Sequence, residues 1–499
     1  MFSITEDDVG IVAYELSEIC RTMSFIFPVP FLVTLLYLPS FDLFYILKKF
    51  FVFMAPAIAS YGLYLLLRRM RCDAQPRTRH TMMTVAVVWF FVAVLGALPY
   101  LLAGVLGPLD ALFESMSGWT TTGLTMIPAP ELIDKDIIFY RAYTQWIGGI
   151  GIIVLALVVF LRRGTVAMDY YAAEVGDQRI RPRLSSTISE TWKIYVVYTI
   201  AFIILMYVAG MDPFDALVHT FSALATAGFS SYSDSLGHYA THPNGMIIQL
   251  VVAACMIFGS ISFLLHFKLF EGDYWKLLDN IEFKYFIRFL AASTFIVFVY
   301  FYLSNPADPL RTFVDGFFQM ASALSTTGMQ TVNLTRWPDL PLTIMIILMV
   351  LGGLYGSTCG GLKMLRIVLT FKVIEYGVKK MMLPKTAVIR IKIDGRHIDW
   401  NAVVSVFGFI SLYLVTGISC AAVLMLFGFP GMQAMFVAAC ALGNVGFSGV
   451  AANLWYDNLH YMAKIALILV MWLGRVEIFP ALVLLSSLRR RKKTGGFYE

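Results

Sequence analysis

The chain has 499 residues, of which 59% are hydrophobic and only 14% charged, with a mean hydropathy of +0.74. A soluble chain of this length could not hide so much apolar surface, so the composition reads as a polytopic membrane protein. The net charge of +6 is small and sits in short segments between apolar ones, which excludes a basic nucleic-acid-binding face. The six cysteines, at 20, 72, 255, 359, 420 and 440, include no CxxC pair, so neither a disulfide framework nor a zinc site is indicated. The N-terminus, MFSITEDDVG, is acidic where a cleaved signal would be basic.

Residues 1–80 read as a leading region with two apolar segments, near 16–38 and 50–67. The first contains Pro28 and Pro30, and a basic loop with Arg68, Arg69, Arg71, Arg77 and Arg79 follows the second. Four units come next, over 81–190, 191–283, 284–398 and 399–499. Each reads as a long apolar helix, a half-length helix, a Ser/Thr/Gly-rich stretch and a second long helix. The long helices are expected near 82–105 and 143–161, 193–209 and 246–267, 285–303 and 342–372, and 401–427 and 461–486. A spanning helix needs about 20 apolar residues. The segment between the long helices is too short and too polar at its end, so it must enter the membrane and turn back. The expected fold is all-α, with four pseudo-repeats around one pore and two leading helices, ten spans in all.

Charge fixes an expected orientation. The loop before the first unit, the three loops between units and the C-terminal tail hold 5, 6, 4, 9 and 5 Lys plus Arg, or 29 of the 38. The segments carrying the half-length helices hold 2, 0, 2 and 0. Both termini, including the tail Arg489–Lys493, are therefore expected in the cytoplasm, and the re-entrant segments enter from outside. Lys48 and Lys49 violate the rule under this topology.

The re-entrant stretch recurs in divergent form. Its copies are Thr121-Thr122-Gly123, Thr226-Ala227-Gly228, Thr326-Thr327-Gly328 and Asn444-Val445-Gly446. Thirteen residues before each glycine stands Asp110, Asp215, Asp315 or Gln433. A long period with matching inner offsets means one structural unit used four times. Pro108 and Pro213 suit the first helical position, and Asp212 suits an N-cap. The aspartates are then expected near the third position, at the positive end of the dipole. The carbonyl-rich helix end points toward a shared axis. A dehydrated potassium ion needs a cage of hard oxygen atoms, which carbonyl rings and threonine hydroxyls supply. Glycine permits the backbone that such a ring needs. A single Ser/Thr/Gly turn would read as a helix connection; four at shared offsets read as a filter. The fourth copy diverges most, with Gln433 for the acid and Gly431 in place of Pro.

Other features bear on gating. Gly352–Gly361, followed by Lys363 and Arg366, places five glycines in a membrane segment. The stretch reads either as a flexible loop that breaks the helix or as a close-packing seam. Arg475, in Gly474-Arg475-Val476-Glu477, is an intramembrane charge. It either lines the pore as a brake on cations, or pairs with Glu477 or snorkels to a helix end. Arg141 either braces a half-length helix through Glu114 or anchors at the interface. His219 aligns with Glu114 and reads as a packed or hydrogen-bonded helix residue.

These motifs, together with Gln145-Trp-Ile-Gly-Gly-Ile-Gly151 and Gly356-Ser-Thr-Cys-Gly-Gly-Leu-Lys363, resemble the Trk/Ktr/HKT superfamily of potassium transporters, most closely its TrkH branch. The resemblance covers the whole chain, and the two leading spans are what separates TrkH-like chains from shorter KtrB-like ones. It implies that the four Thr-x-Gly copies, at the residues named above, form a potassium filter. It also implies that Gly356, Gly360, Gly361 and Lys363 belong to an intramembrane gating loop and that Arg475 is the pore arginine. The implied assembly is a homodimer with one pore per chain and a separate cytosolic ring of nucleotide-binding TrkA subunits. Gly149-Ile-Gly151 lacks the third glycine of a dinucleotide fingerprint, and the chain carries no organic cofactor motif.

The leading expectation is potassium uptake through a gated channel-like pore in the cell membrane. The alternatives are a sodium- or proton-coupled symporter, for which Glu477 is the candidate carboxylate, and the pore subunit of an ATP-driven pump. An enzyme is not expected, because HExxH, GxSxG and P-loop motifs are missing from the sequence.

Overall fold

The computed structural model describes residues 6–38, 42–70, 77–160, 184–304, 306, 308–384, 391–393, 396–447 and 454–488. The basic tail Arg489–Lys493, Arg71, Cys72 and most of the basic loop after the first unit lie outside these residues.

The leading region forms α1 (Glu6–Ile26), α2 (Val29–Leu36) and α3 (Leu43–Leu67). Pro28 and Pro30 interrupt the first run at the α1–α2 junction, where proline removes backbone donors. The run begins at Glu6, ten residues earlier than the hydropathy of 16–38 indicated. Lys49, the exception to the charge rule, is buried in α3. Its Nζ lies 2.7 Å from Asp134 and 2.8 Å from Asp136, at the start of α7, and Thr34 donates to Asp136 at 2.8 Å. A local counter-charge therefore satisfies this lysine.

Next come α4 (Thr78–Gly96), α5 (Leu98–Ala103), the short α6 (Pro108–Trp119) and α7 (Lys135–Phe160). They are followed by α8 (Leu184–Ala209), the short α9 (Pro213–Leu224), α10 (Gly245–Ser260), α11 (Phe263–Phe270) and α12 (Tyr274–Asp279). Then follow α13 (Ile281–Ser304), the short α14 (Pro309–Leu324), α15 (Asp339–Leu351) and α16 (Met364–Met382). The chain continues through α17 (Trp400–Leu426), the short α18 (Gly431–Gly443), α19 (Tyr461–Arg475) and α20 (Phe479–Leu488). The chain is not wholly helical: β1 (Lys392–Ile393) and β2 (Arg396–His397) pair antiparallel, Ile393 opposite Arg396, between α16 and α17. The intervening Asp394-Gly395 is a hairpin signal that the helical reading passed over.

Among the described residues, six helical runs are long and apolar enough to cross a membrane, and two bent pairs qualify if each counts as one span. The bends correct two expected continuous helices. The run 246–267 breaks by 104° between α10 and α11, and the run 461–486 breaks by 110° between α19 and α20. The first break is held from outside: Leu354 N–H donates to Ser260 O and Phe263 N–H to Gly356 O. At the second, Glu477 and Ile478 take φ of 59° and 52°, and Pro480 follows.

Each short helix packs against the two long helices that flank it in sequence and against one more. For α6 the extra helix is α19, for α9 it is α7, for α14 it is α10, and for α18 it is α15. The four short helices are thus enclosed by other helices and are mostly buried. Close approach there depends on small residues, because lipid offers no hydrophobic drive for one helix to meet another. A Cβ on Gly148 of α7 would overlap Trp119 O; on Gly259 of α10, Leu224 O; and on Gly474 of α19, Leu442 O. Each of these carbonyls lies in the last turn of a short helix, four residues before a glycine of the repeated stretch.

Candidate functional site

The short helices end alike. Thr122 N–H donates to Ser117 O at 2.8 Å, Ala227 to Ser222 at 3.0 Å, Thr327 to Ser322 at 2.9 Å and Val445 to Cys440 at 2.8 Å. The residue before each donor is left-handed: Thr121, Thr226, Thr326 and Asn444 have φ of 54°, 50°, 55° and 53°. Glycine usually takes this place in a helix ending. A β-branched residue there stores about 1–3 kcal/mol of strain, which must be held by its surroundings. The Thr326 hydroxyl accepts from Gly360 N–H at 2.9 Å, and Thr226 donates to Thr358 at 3.1 Å. Asn444 Nδ2 donates to Thr122 Oγ1 at 2.9 Å and to Met471 O at 3.0 Å.

The following glycines come to one point. Gly123, Gly228 and Gly328 have φ of 88°, 93° and 86°. A Cβ on Gly123 would overlap Ala227 O and stand 2.8 Å from Gly446 Cα; one on Gly228 would overlap Thr327 O and stand 3.1 Å from Gly446 Cα. One on Gly328 would overlap the backbone of Gly446. The fourth loop departs from the other three, since Gly446 lacks the positive φ and its N–H donates to Thr327 O at 3.3 Å. The Thr122, Ala227 and Thr327 carbonyls all face it, so the oxygens at the meeting point are main-chain ones.

Side chains tie the chain leaving this point back to the helices. Buried Glu114 accepts from Met126 N–H at 2.8 Å and from Arg141 Nε at 2.8 Å. Arg141 also donates to Ser230 O at 3.1 Å and lies over the Phe229 ring. Being only 1% exposed, Arg141 is a brace and not an interfacial anchor. One turn on, Gln145 donates to Ala227 O at 3.1 Å and accepts from Phe229 N–H at 3.2 Å. His219 bonds Asp215 O at 2.8 Å and Ser230 Oγ at 3.0 Å.

The acids at the helix starts are each engaged. Asp110 meets Lys464 at 2.5 Å, and Asp215 accepts from Tyr232 and Tyr239, both at 2.7 Å. Burial and that carboxylate push both phenols up. Asp212 caps α9 by accepting from Phe214 N–H at 2.9 Å. Asp315 does not fall at the third helical position. Asp308 caps α14 one turn earlier, before Pro309, which leaves Asp315 at the seventh position, paired with Arg311 at 2.9 Å.

Where the short helices end, the glycine-rich stretch is a loop between α15 and α16, with Gly352, Gly356 and Gly361 at φ of 73°, 75° and 74°. It packs as closely as a seam would: Thr358 Oγ1 bonds Leu224 O at 3.1 Å and Gly259 O at 2.8 Å, and Cys359 Sγ bonds Ser325 O. Lys363, at φ of 72°, donates from Nζ to Cys359 O. Arg475, 2% exposed, donates to Thr358 O at 3.1 Å and to Gly148 O at 2.7 Å. Glu477 pairs with Arg366 at 2.6 Å and not with Arg475, which removes the structural-pair reading of the arginine.

A family model described as TrkH, cation transport protein, matches residues 46–493. The chain belongs to the TrkH family. This family member is 31% identical over 486 residues to an uncharacterized cation transporter of Methanocaldococcus jannaschii, covering 97% of each chain. It is 33% identical over 422 residues to the Trk system potassium uptake protein TrkH of Escherichia coli K12, covering 82% of this chain and 86% of that one. Its fold matches the crystal structure of the potassium transporter TrkH from Vibrio parahaemolyticus with a TM-score of 0.82 at 29% identity, covering 95% of this chain and 98% of the other.

The structure brings the four glycine stretches, the glycine-rich loop and Arg475 close together; the sequence carries Gln145 and Thr358 only as members of longer motifs, and Gln319 stands outside all of them. Gln319 was open to discovery, because it stands at the same offset from its glycine as Glu114 and His219.

Proposed function

We propose that this chain takes up potassium through a gated, potassium-selective, channel-like pore. The filter comprises Thr121-Thr122-Gly123, Thr226-Ala227-Gly228, Thr326-Thr327-Gly328 and Asn444-Val445-Gly446. The observation that carries the reading is the mutual approach of the four glycine-bearing loops, with the Thr122, Ala227 and Thr327 carbonyls facing Gly446. Carbonyls replace hydration oxygens without burying formal charge. The four helix ends add negative potential at the same place. Potassium is favoured because the relatives in E. coli and V. parahaemolyticus are named for it.

The gate in this reading is the loop 352–363, with Gly356, Gly360, Gly361 and Lys363, together with Arg475. The arginine is a buried cation beside the filter's inner end, where it opposes the passage of another cation. The four units, 81–190, 191–283, 284–398 and 399–499, surround the pore after a leading region of 1–80. The order of helix contacts, α6 with α19, α9 with α7, α14 with α10 and α18 with α15, supports four-fold pseudo-symmetry with ten spans. Both termini are cytoplasmic, two chains form a homodimer in the cell membrane, and a TrkA-type nucleotide-binding ring acts from the cytosol. Glu477 is held by Arg366, which supports passive permeation over symport. The family match to a transport protein favours this reading over a pump subunit.

The test is cation flux into liposomes holding the purified chain, with potassium, rubidium or sodium as the sole permeant ion and the membrane potential clamped. Potassium and rubidium entry driven by potential alone is expected. Entry that requires a sodium or proton gradient would overturn the channel reading.

A further inference from the structure

The side chain nine residues before each filter glycine is Glu114, His219, Gln319 or Val437, and all four are buried. The three polar ones do one job. Glu114 accepts from Met126 N–H, three residues past Gly123. His219 bonds Ser230 Oγ, two past Gly228, at 3.0 Å. Gln319 Nε2 donates to Thr331 Oγ1, three past Gly328, at 3.1 Å, and Thr331 donates in turn to Asp315 at 3.1 Å. Three different chemical groups thus close the same span, from mid-helix to the limb that leaves the filter. Val437 offers no polar atom to do so. Among the described residues, the fourth loop takes its contacts from α19 and from its neighbours: Asn444 bonds Met471 O of α19 and Thr122 Oγ1, Gly446 N–H donates to Thr327 O, and Gly474 of α19 packs against Leu442 O.

We infer that Glu114, His219 and Gln319 are positioning residues that hold three of the four filter loops at the spacing potassium requires, whereas the fourth loop takes its position from α19 and the loops beside it. The inference rests on the filter reading above. A brace acts on selectivity because carbonyls fixed at one radius cannot close around a smaller ion. A loop released from its brace can follow sodium inward. The fourth loop, tied one residue from Arg475, is the quadrant through which movement of α19 reaches the filter.

The experiment is a double-mutant cycle on the third loop, read as the sodium-to-potassium flux ratio in liposomes with the full chain. Gln319→Leu and Thr331→Val are each expected to raise the ratio about threefold, the scale of one lost hydrogen bond. The double variant should be no worse than the worse single one. Val437→Ala should leave the ratio at its wild-type value. A folded, flux-competent Gln319→Leu with an unchanged ratio, or a double variant whose effect is the product of the singles, overturns the inference. If Gln319→Leu does not purify as a monodisperse protein, Gln319→Asn, which keeps polarity but shortens the reach, must raise the ratio instead, and an unchanged ratio there overturns the inference equally. Gly328→Ala separates the two levels. If it leaves the ratio unchanged, the filter reading itself fails; if it moves the ratio while the Gln319 variants do not, only the positioning role fails.

Discussion

The two sides of the repeated stretch are held by different means. Where the chain leaves the repeated stretch, the ties are polar and mostly local: Glu114 to Met126, His219 to Ser230, Gln319 to Thr331. Where the helices end, the contacts join distant segments, and most run through main chain: Thr358 to Leu224 and Gly259, Arg475 to Thr358 and Gly148. The first arrangement fixes geometry, since each tie closes a short span. The second hangs on one loop with three glycines at positive φ, which is the gate in the proposed function. In the proposed reading, the local ties serve the filter and the long-range contacts serve the gate.

Substitutions break or sharpen the contrast in a definite order. The largest effect is expected from Glu114→Leu, which strands the buried Arg141 guanidinium. Removing one partner of a buried pair costs about 3–5 kcal/mol, measured as thermal unfolding in detergent, and the double variant with Arg141→Leu should recover part of it. Next comes Gly328→Ala. A side chain at φ of 86°, overlapping the Gly446 backbone, should cut potassium flux about a hundredfold. On the other side of the contrast, Arg475→Ala should raise potassium flux through the chain alone about tenfold, because a buried cation no longer opposes the ion. The smallest effect belongs to Asp212→Ala, which removes the α9 cap at the helix start, far along the chain from the Thr226-Ala227-Gly228 stretch. It should cost about 1 kcal/mol of stability and leave the flux ratio among cations unchanged.

What was legible in the sequence followed from chemistry confined to one segment. The repeated offsets of Thr121, Thr226, Thr326 and Asn444 marked helix endings, and Asp212-Pro213 marked a helix start. Asp315 was misplaced because the third unit has Phe313, not proline, fifteen residues before its glycine, so the earlier start at Asp308-Pro309 was overlooked. The bend between α10 and α11 could not be read at all. Its free backbone groups are satisfied by Leu354 and Gly356, almost a hundred residues away. The choice between Arg366 and Arg475 as the partner of Glu477 likewise depends on how α16 approaches the break after α19. Pro480 alone hinted at that break.

The central claim is that the four loops make one ion site. Its most direct test is a structure of the purified chain in rubidium or thallium, with the heavy ion located by anomalous scattering. The account predicts density on the axis where the Thr122, Ala227 and Thr327 carbonyls converge, displaced by sodium only at large excess. Heavy-ion density confined to Glu477 or to the carboxylates at the helix starts, with none among the loops, would contradict it.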